Sequence, residues 1–262
     1  IELSQESNFR HTSRMEIKVL DKVFFRVNQV EGALGDIWLI HPFGESGLCY
    51  SYAFESELVK QYNLFVPDLP GFGVTPNYGE PLGVEGIVDA LASLIENYSP
   101  AKNLYLIGHS VSGIIVTELI KKLQREVNGI VSVEGNLTTA DSYYSSLPIH
   151  HIKEDFYRIY LDSVSEHAKS RKDFQRYLAS VRFADIDSLY ELGKSTEGLI
   201  IDNQAGKAFM SLDCPKLYIW GDKDTPVEPA NFILESQLPS VLLKGVGRWP
   251  LVEVEGIFFR RV

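Results

Sequence analysis

The sequence predicts an α/β fold with a mostly parallel central sheet, helices on both faces and a helical cap insertion. Short apolar runs typical of buried strands alternate with segments whose apolar residues recur at helical spacing. Residues 137–209 interrupt this alternation, because they are polar, rich in tyrosine and helical without clear strands. A segment of this length is not a loop in a compact domain. We therefore predict a core of residues 1–136 and 210–262 and a helical cap of residues 137–209.

The predicted sheet can be followed along the first half of the chain. After a polar lead-in at residues 1–14, residues 15–20 and 23–27 alternate well enough for an antiparallel hairpin. Continuous apolar runs predict buried strands at residues 36–40, 63–68, 104–107 and 129–134. Apolar residues at three- and four-residue intervals predict helices at residues 52–62, 84–98 and 114–126.

The strand pattern returns after the cap. The remaining predictions are a strand at 216–220, a helix at 230–237, a strand at 240–244 and a final helix at 251–260. We expect the cap to cover the carboxyl ends of the strands, where α/β sheets bind ligands. Most of its aromatic residues should pack against the core, and a minority should line an apolar pocket. A solvated helix face is predicted for Glu166, Lys169, Arg171 and Lys172.

Composition excludes several classes of function. The formal net charge of −10 argues against nucleic acid and anionic membranes as partners. No stretch is long and apolar enough to span a membrane. Cys49 and Cys214 lie far apart without metal-ligand spacing, which predicts free thiols in a reducing compartment and a cytoplasmic location. We expect neither a cofactor nor a metal, and nothing in the sequence indicates an oligomeric state.

The chain is organised around residues 107–113, Ile-Gly-His-Ser-Val-Ser-Gly. A predicted buried strand precedes this segment and a predicted helix follows it. A strand, a tight turn that carries a serine, and a helix form a nucleophile elbow, in which the serine Oγ projects above the sheet. Gly108 is the small residue that the close approach of strand and helix requires, whereas Ser112 stands where a second glycine is usual. Ser110 is the candidate nucleophile.

Three further motifs follow predicted strands in chain order. They are His-Pro-Phe-Gly at residues 41–44, Asp-Leu-Pro-Gly-Phe-Gly-Val-Thr at 68–75 and Gly-Asp-Lys-Asp at 221–224. With these motifs and the elbow, nearly all of the chain outside the cap resembles the α/β-hydrolase family, and most closely its small carboxylesterases and thioesterases with a short helical cap. The resemblance implies the α/β-hydrolase fold and cleavage of a small ester or thioester through an acyl-enzyme on Ser110.

The resemblance also implies roles for four other residues. The main-chain N–H groups of Phe43 and Val111 would form the oxyanion hole that stabilises the developing negative charge. Asp224 would be the acid of the catalytic triad, because the family spacing is Gly-x-x-Asp. Glu134, which closes a neighbouring predicted strand, is the reserve acid.

The general base is missing from its expected position. Residues 245–253, Gly-Val-Gly-Arg-Trp-Pro-Leu-Val-Glu, resemble the family segment Gly-His-x-Pro-x-x-Glu, but Arg248 replaces the histidine. A guanidinium stays protonated and has no acceptor, so Arg248 cannot take a proton from Ser110. No histidine follows His167 in the chain, so a shift of register does not supply the missing base.

Three interpretations of Arg248 remain open. In the first, which we take as the primary hypothesis, it impairs or abolishes an ordinary serine hydrolase, with a rate loss of roughly 10⁴-fold or more. In the second, a cap histidine, His150 or His151, serves as base. In the third, the chain is a non-hydrolytic ligand-binding or receptor-like protein, or a lyase or cyclase, and Arg248 clamps a carboxylate. In each case we expect Arg248 to pair with Asp224 close to Ser110.

Overall fold

The sheet of the computed structural model has eight strands, and the structure describes residues 15–259. The strands are β1 (Glu16–Leu20), β2 (Val23–Asn28), β3 (Asp36–Ile40), β4 (Asn63–Pro67), β5 (Leu104–His109), β6 (Gly129–Val133), β7 (Lys216–Gly221) and β8 (Ser240–Leu243). Their order across the sheet is β1-β2-β4-β3-β5-β6-β7-β8. The β1–β2 and β2–β4 pairs are antiparallel, and all other pairs are parallel. The predicted mostly parallel sheet is confirmed.

Helices cover both faces of this sheet. They are α1 (Val84–Tyr98), α2 (Val111–Lys122), α3 (Leu147–His150), α4 (Lys153–Ala168), α5 (Lys172–Val181), α6 (Ile186–Lys194), α7 (Glu197–Ile200), α8 (Gln204–Met210), α9 (Val227–Glu235), α10 (Pro250–Glu253) and α11 (Glu255–Phe258). Three 3₁₀ helices span Gly47–Glu55, Glu57–Lys60 and Ile201–Asn203. Within residues 15–259, no helix has both the length and the apolar character needed to cross a membrane.

The helix predicted at residues 52–62 is wrong, because Ser56 divides this region into two 3₁₀ helices. The Ser56 backbone is extended, and its N–H donates to the Ala53 carbonyl. Its Oγ accepts from the Leu58 N–H at 3.3 Å, which begins the second helix. A serine side chain that bonds the nearby backbone favours such a cap over a continuous helix.

Three other predicted helices have bounds that differ from the expectation. The helix predicted at 230–237 spans Val227–Glu235. The one that follows the elbow ends at Lys122 rather than near residue 126, because Leu123 is extended. The predicted helix at 251–260 is instead two short helices separated by Val254, whose backbone is not helical. Residue 260 and the lead-in predicted at residues 1–14 lie outside the described residues.

Two apolar layers lie on opposite faces of the sheet. Neighbouring residues of a strand point to opposite faces, so Trp38 packs in the layer under α1 and α2, and Leu39 packs in the layer under the 3₁₀ helices and α10. Both side chains are fully buried. Each such side chain contributes roughly 1.5–3 kcal/mol relative to an exposed position. Cys49, in the second layer, and Cys214 are both free thiols.

Helices α3–α8 lie between β6 and β7 in the chain, within the region predicted as a cap. Two contacts join α5 to the loop after β3. The Tyr177 hydroxyl donates to the Phe43 carbonyl at 2.7 Å, and the Arg176 guanidinium forms an ion pair with Glu45, whose side chain is fully buried. The cap therefore packs directly on the loop that contains Phe43. The domain boundaries at residues 136/137 and 209/210 stay predictions.

A buried ion pair holds the loop after β4. Arg26 Nη1 lies 2.7 Å from Asp68 Oδ1, with the two side chains 4% and 0% exposed. Asp68 also accepts from the N–H groups of Gly47 at 2.7 Å and Val74 at 2.9 Å. One carboxylate thereby fixes the β2 strand, the loop after β3 and the loop after β4 relative to one another.

Replacement of Arg26 tests the contribution of this pair. We expect Arg26→Met to lower the free energy of unfolding by about 3–5 kcal/mol, because the Asp68 carboxylate stays buried without its counter-charge. Urea unfolding followed by circular dichroism measures the change. The matched control is Lys60→Met, which breaks an exposed ion pair with Glu57 and should change stability by less than about 1 kcal/mol. Equal losses in both variants would contradict the assignment.

Candidate active site

Ser110 lies in the tight turn between β5 and α2. Its φ of 56° and ψ of −125° are strained for a residue with a Cβ, as is common at functional turns. A Cβ built on Gly108 would overlap the main-chain carbonyl of Ser112, so the strand and the helix approach too closely for any other residue. The local geometry is that of a nucleophile elbow, with Ser110 at the carboxyl edge of the sheet.

Ser112 joins the elbow to the loop after β3. Its Oγ donates to the His41 carbonyl at 2.5 Å, which gives a serine a structural use at this position. The His41 ring is itself held at both nitrogens, since Nδ1 donates to the Pro42 carbonyl at 2.9 Å and Nε2 accepts from the Leu69 N–H at 3.0 Å. Burial lowers the pKa of His41 to about 4. His41 therefore shapes the loops and has no free nitrogen for a proton transfer.

His109, the neighbour of Ser110, is also committed elsewhere. Its Nε2 donates to the Arg248 carbonyl at 2.9 Å, and its ring packs edge-on against Trp249. Burial, assisted by the charge of Arg248, lowers the pKa of His109 to about 3. Its Nδ1 has no hydrogen-bond partner among residues 15–259. His109 thus anchors the main chain of residue 248 and does not contact the Ser110 hydroxyl.

The Arg248 guanidinium lies directly against Ser110. Nη2 donates to Ser110 Oγ at 3.1 Å and to the Asp141 carbonyl at 2.8 Å. The guanidinium stacks on the Tyr143 ring, 4.4 Å from its centroid, and Arg248 is only 8% exposed. Because a guanidinium only donates, the Ser110 hydroxyl gives its own proton to Asn136 Oδ1, at 3.3 Å.

The prediction of an ion pair between Arg248 and Asp224 is wrong. Asp224 instead receives both nitrogens of the Arg171 fork, at 3.0 and 2.6 Å, and contacts Arg248 through the main-chain N–H. Burial alone would raise the pKa of Asp224, but the hydrogen bonds and charge of Arg171 outweigh it and hold the pKa below its ordinary value. A bidentate fork gives each carboxylate oxygen a charge-assisted hydrogen bond. Arg171, predicted to lie on a solvated face, is therefore a link between cap and core.

Glu134 lies at the end of β6 with a φ of 46°. Its carboxyl group accepts from the Gly221 N–H at 2.5 Å and from Thr225 Oγ1 at 3.5 Å. Burial raises the pKa of Glu134 to about 8, although the charge of Arg248 acts in the opposite direction. This carboxyl group is thus neutral near pH 7, and its hydrogen bonds join β6 to the loop after β7.

Two main-chain N–H groups near Ser110 donate no hydrogen bond to any residue that the structure describes. The N–H groups of Phe43 and Val111 have no hydrogen-bond acceptor in the part of the chain that the structure describes. Phe43 is held through its carbonyl by the Tyr177 hydroxyl. Gly44 follows with a φ of 72°, and a Cβ there would overlap the Tyr160 hydroxyl, so the loop requires glycine. Both N–H groups are chemically able to bind an oxyanion.

Arg248 lines two cavities. The first, about 10 Å³, is lined by Pro42, Phe43, His109, Ser110, Tyr144, Ser145, Phe174, Tyr177, Arg248 and Trp249. This is about the space that one water molecule needs. The second, about 350 Å³, is lined by Tyr143, Tyr144, Leu147, Ile159, Ser163, His167, Arg171, Phe174, Asp224 and Arg248. Arg248 therefore borders both the small chamber at Ser110 and the larger cavity.

The cap histidines considered as alternative bases line neither cavity. His150 is exposed at the end of α3, and His151 is partly exposed. A different cap histidine, His167, lines the larger cavity, stacked on Phe174 with Nδ1 bonded to the Ser163 carbonyl. Within residues 15–259, no group of three or more His, Cys, Asp or Glu side chains is arranged to hold a metal ion.

Sequence reasoning missed Asn136, Asp141, Arg171 and His167. Asn136 directly follows the stretch predicted as the sixth strand, and that position is the one signal that could have marked it as a site residue. The other three reach the site through the fold of the cap and its leading loop, for which the sequence carries no spacing rule.

The sheet order, the elbow and the loops at the carboxyl edge are those of the α/β hydrolases. The chain belongs to this family, since the model of the alpha/beta hydrolase family matches residues 39–256. The fold predicted from the resemblance is therefore confirmed.

Two curated relatives illustrate the similarity. Lipase 3 of Moraxella sp. (strain TA144) is 26% identical over an alignment of 275 positions, which covers 93% of this chain and 82% of the relative. A pimeloyl-[acyl-carrier protein] methyl ester esterase of Sodalis glossinidius (strain morsitans) is 25% identical over 232 residues, which cover 83% of this chain and 88% of the relative.

Solved structures share the fold at lower identity. A thermophilic esterase from Thermogutta terrifontis with bound malate has a TM-score of 0.72 and 15% identity over 91% of each chain. The N-acyl homoserine lactonase AidH complexed with N-butanoyl homoserine has a TM-score of 0.70 and 18% identity, with 94% of this chain and 93% of that chain covered.

Substitution of the elbow glycine tests the close approach of β5 and α2. We expect Gly108→Ala to lower the free energy of unfolding by about 3 kcal/mol or more, because the added methyl overlaps main-chain atoms that cannot move independently. Gly79→Ala is the matched control, because no atom lies within 4 Å of a Cβ at that position. It should stay within about 0.5 kcal/mol of the parent chain. Similar urea midpoints for both variants would refute the steric explanation.

The raised pKa of Glu134 predicts a pH dependence of stability. Between its ordinary pKa of 4.5 and about 8, the folded chain keeps a proton that the unfolded chain releases. This group should therefore lower the free energy of unfolding by up to about 1.4 kcal/mol per pH unit as the pH rises. Glu134→Gln removes that part of the slope, which urea unfolding at about pH 5, 6 and 7 measures. Glu55→Gln, at an exposed carboxyl group, should leave the slope unchanged, and an unchanged slope in Glu134→Gln would contradict the expectation.

Proposed function

We propose that this chain is a serine hydrolase of the α/β-hydrolase class, built for a small ester or thioester, whose turnover is impaired or lost because Arg248 replaces the base. The hydrogen bond from Arg248 Nη2 to Ser110 Oγ carries the proposal. It presents a donor at the point where acyl transfer needs an acceptor. The lipase and esterase relatives support an ester as the substrate class.

The remaining parts of the reaction are assigned to residues around Ser110. Its Oγ would attack the substrate carbonyl and form the acyl-enzyme. The N–H groups of Phe43 and Val111 would stabilise the resulting oxyanion, and loss of one such donor typically lowers the rate by ~10²–10³. Their lack of acceptors among residues 15–259 supports this role.

The missing base accounts for the loss of turnover. A serine hydroxyl is a weak nucleophile unless a neighbouring group removes its proton. His41 and His109 both lie close by, but each has a low pKa and ring bonds to the main chain. Without a base, the oxyanion donors and binding alone leave a residual acceleration of about 10³–10⁴ over water.

Asp224 is the better candidate for the acid of the triad. It contacts the main chain of residue 248 and has a lowered pKa, so it is charged near neutral pH. Glu134 is the reserve acid, but its pKa of about 8 makes it neutral there. Only a charged carboxylate stabilises the imidazolium that forms when a histidine accepts the serine proton.

Restoration of the histidine tests the proposal. We expect Arg248→His to raise the rate of p-nitrophenyl acetate hydrolysis by roughly 10²–10⁴, because an imidazole supplies the acceptor and occupies less of the chamber at Ser110. Arg248→Lys is the matched control, since an ammonium has no acceptor and should not gain activity. In the Arg248→His background, Asp224→Asn should lower the rate far more than Glu134→Gln.

A fluorophosphonate probe shows whether Ser110 is the residue that reacts. It should label the Arg248→His variant and fail to label the double variant with Ser110→Ala. The proposal is wrong if Arg248→His is folded by circular dichroism but inert towards the ester, with Ser110 unlabelled in both the parent chain and the variant.

A further inference from the structure

Arg248 is a buried cation with unused hydrogen-bond donors. Both protons of Nη2 are assigned, to Ser110 Oγ and to the Asp141 carbonyl. The N–H groups on Nη1 and Nε have no acceptor among the residues that the structure describes. No carboxylate in that part of the chain forms an ion pair with the guanidinium. A buried guanidinium with free donors and no ion-paired carboxylate favours binding of an anion.

Burial lowers the pKa of Arg248, but Tyr143 and the acidic side chains of Glu134 and Asp141 outweigh it and hold the pKa above its ordinary value. Neither acidic side chain forms an ion pair with the guanidinium. The Asp141 carboxyl group accepts the N–H groups of Leu137 and Thr138, and Glu134 accepts that of Gly221. Burial raises the pKa of Asp141 to about 7 and that of Glu134 to about 8. Both carboxyl groups make their hydrogen bonds elsewhere, so neither occupies the Nε or Nη1 donors of Arg248.

Arg248 lines the cavity of about 350 Å³, which lies in the size range of small-molecule sites. Arg248 is the guanidinium at this cavity that no carboxylate of residues 15–259 holds in an ion pair. Arg171 also lines it, but this guanidinium is held by Asp224 and Asp173. A single guanidinium with carboxylates nearby matches a monoanion better than a phosphate dianion, which those carboxylates repel more strongly.

The remaining walls of the cavity are mainly apolar. Tyr143, Tyr144 and Phe174 present aromatic rings, and Leu147 and Ile159 present aliphatic side chains. Tyr143 also supports the guanidinium from one side, so that its planar fork is held in place. The Nε–H and Nη1–H groups lie on opposite edges of the guanidinium plane, so each can serve as a single charge-assisted donor to a carboxylate. The rings suit an apolar or aromatic body attached to that carboxylate.

We propose that this cavity binds a monocarboxylate with an aromatic or apolar body, whose carboxylate accepts a charge-assisted hydrogen bond from the Arg248 guanidinium. This function goes beyond ester hydrolysis, because binding requires no attack by Ser110 and no general base. The bound molecule belongs to the chemical class of the acid that ester cleavage releases, and at this site it is a ligand rather than an intermediate.

Calorimetric titration with 3-phenylpropionate tests the proposal, with 3-phenylpropanamide as a neutral ligand of nearly the same shape. The acid should bind the parent chain at least about 10-fold more tightly than the amide, because only the acid forms charge-assisted hydrogen bonds. Inorganic phosphate should compete with the acid weakly. This comparison needs no variant and no ester turnover, so its outcome is independent of the hydrolase proposal.

Arg248→Gln assigns the effect to the guanidinium. It should weaken binding of 3-phenylpropionate roughly 10- to 100-fold and leave binding of the amide unchanged. The matched control is Arg158→Gln, which removes an exposed guanidinium paired with Asp155 and should not change either affinity. Circular dichroism verifies that each variant is folded.

Four results would overturn the inference. They are no detectable binding of the acid, equal affinities of acid and amide for the parent chain, unchanged acid binding in a folded Arg248→Gln variant, and displacement by inorganic phosphate as effective as by the acid itself.

Discussion

Where β5 meets α2, the main chains approach so closely that only glycine fits at residue 108. This contact sets the position of Ser110, and hydrogen bonds then tie the turn to its neighbours. The Ser110 N–H donates to the Val133 carbonyl at the end of β6, and Ser112 donates to the His41 carbonyl after β3. His109 holds the segment that follows β8 through the Arg248 carbonyl. Segments at the ends of four strands thus meet at one turn, and all of them help to fix the position of Ser110.

At the centre of this arrangement, residue 248 decides which chemistry the cleft supports. A neutral imidazole there would accept a proton, whereas the Arg248 guanidinium only donates. The consequence extends to both cavities, because Arg248 lines the chamber at Ser110 and the larger cavity. Hydrolysis and carboxylate binding therefore make opposite demands on the same position, although the surrounding fold serves either.

The sheet and the elbow could be predicted because their signals are local. Apolar runs mark the strands, and the spacing of Gly108, Ser110 and Ser112 marks the turn. The anomaly at Arg248 was visible for the same reason. The orientation of Arg248 could not be predicted from the sequence. Asp224 is paired with Arg171 instead, and that pair depends on how the cap docks on the core. The interruption at Ser56 was missed because apolar spacing alone does not reveal a serine that caps a new helix.

Two ion pairs, Arg176 with Glu45 and Arg171 with Asp224, join α5 and the residue before it to the core, so they oppose any movement of α5 away from the core. If α5 moved away from the core, Glu45 would lose the counter-charge that makes its burial tolerable. Any exchange of molecules at Ser110 that requires this movement must break both pairs. Dissolved ions screen the partly exposed Arg171–Asp224 pair but hardly screen the Arg176–Glu45 pair, whose carboxylate is fully buried. A movement of α5 away from the core would therefore depend on ionic strength through the Arg171–Asp224 pair, although Ser110 itself carries no charge.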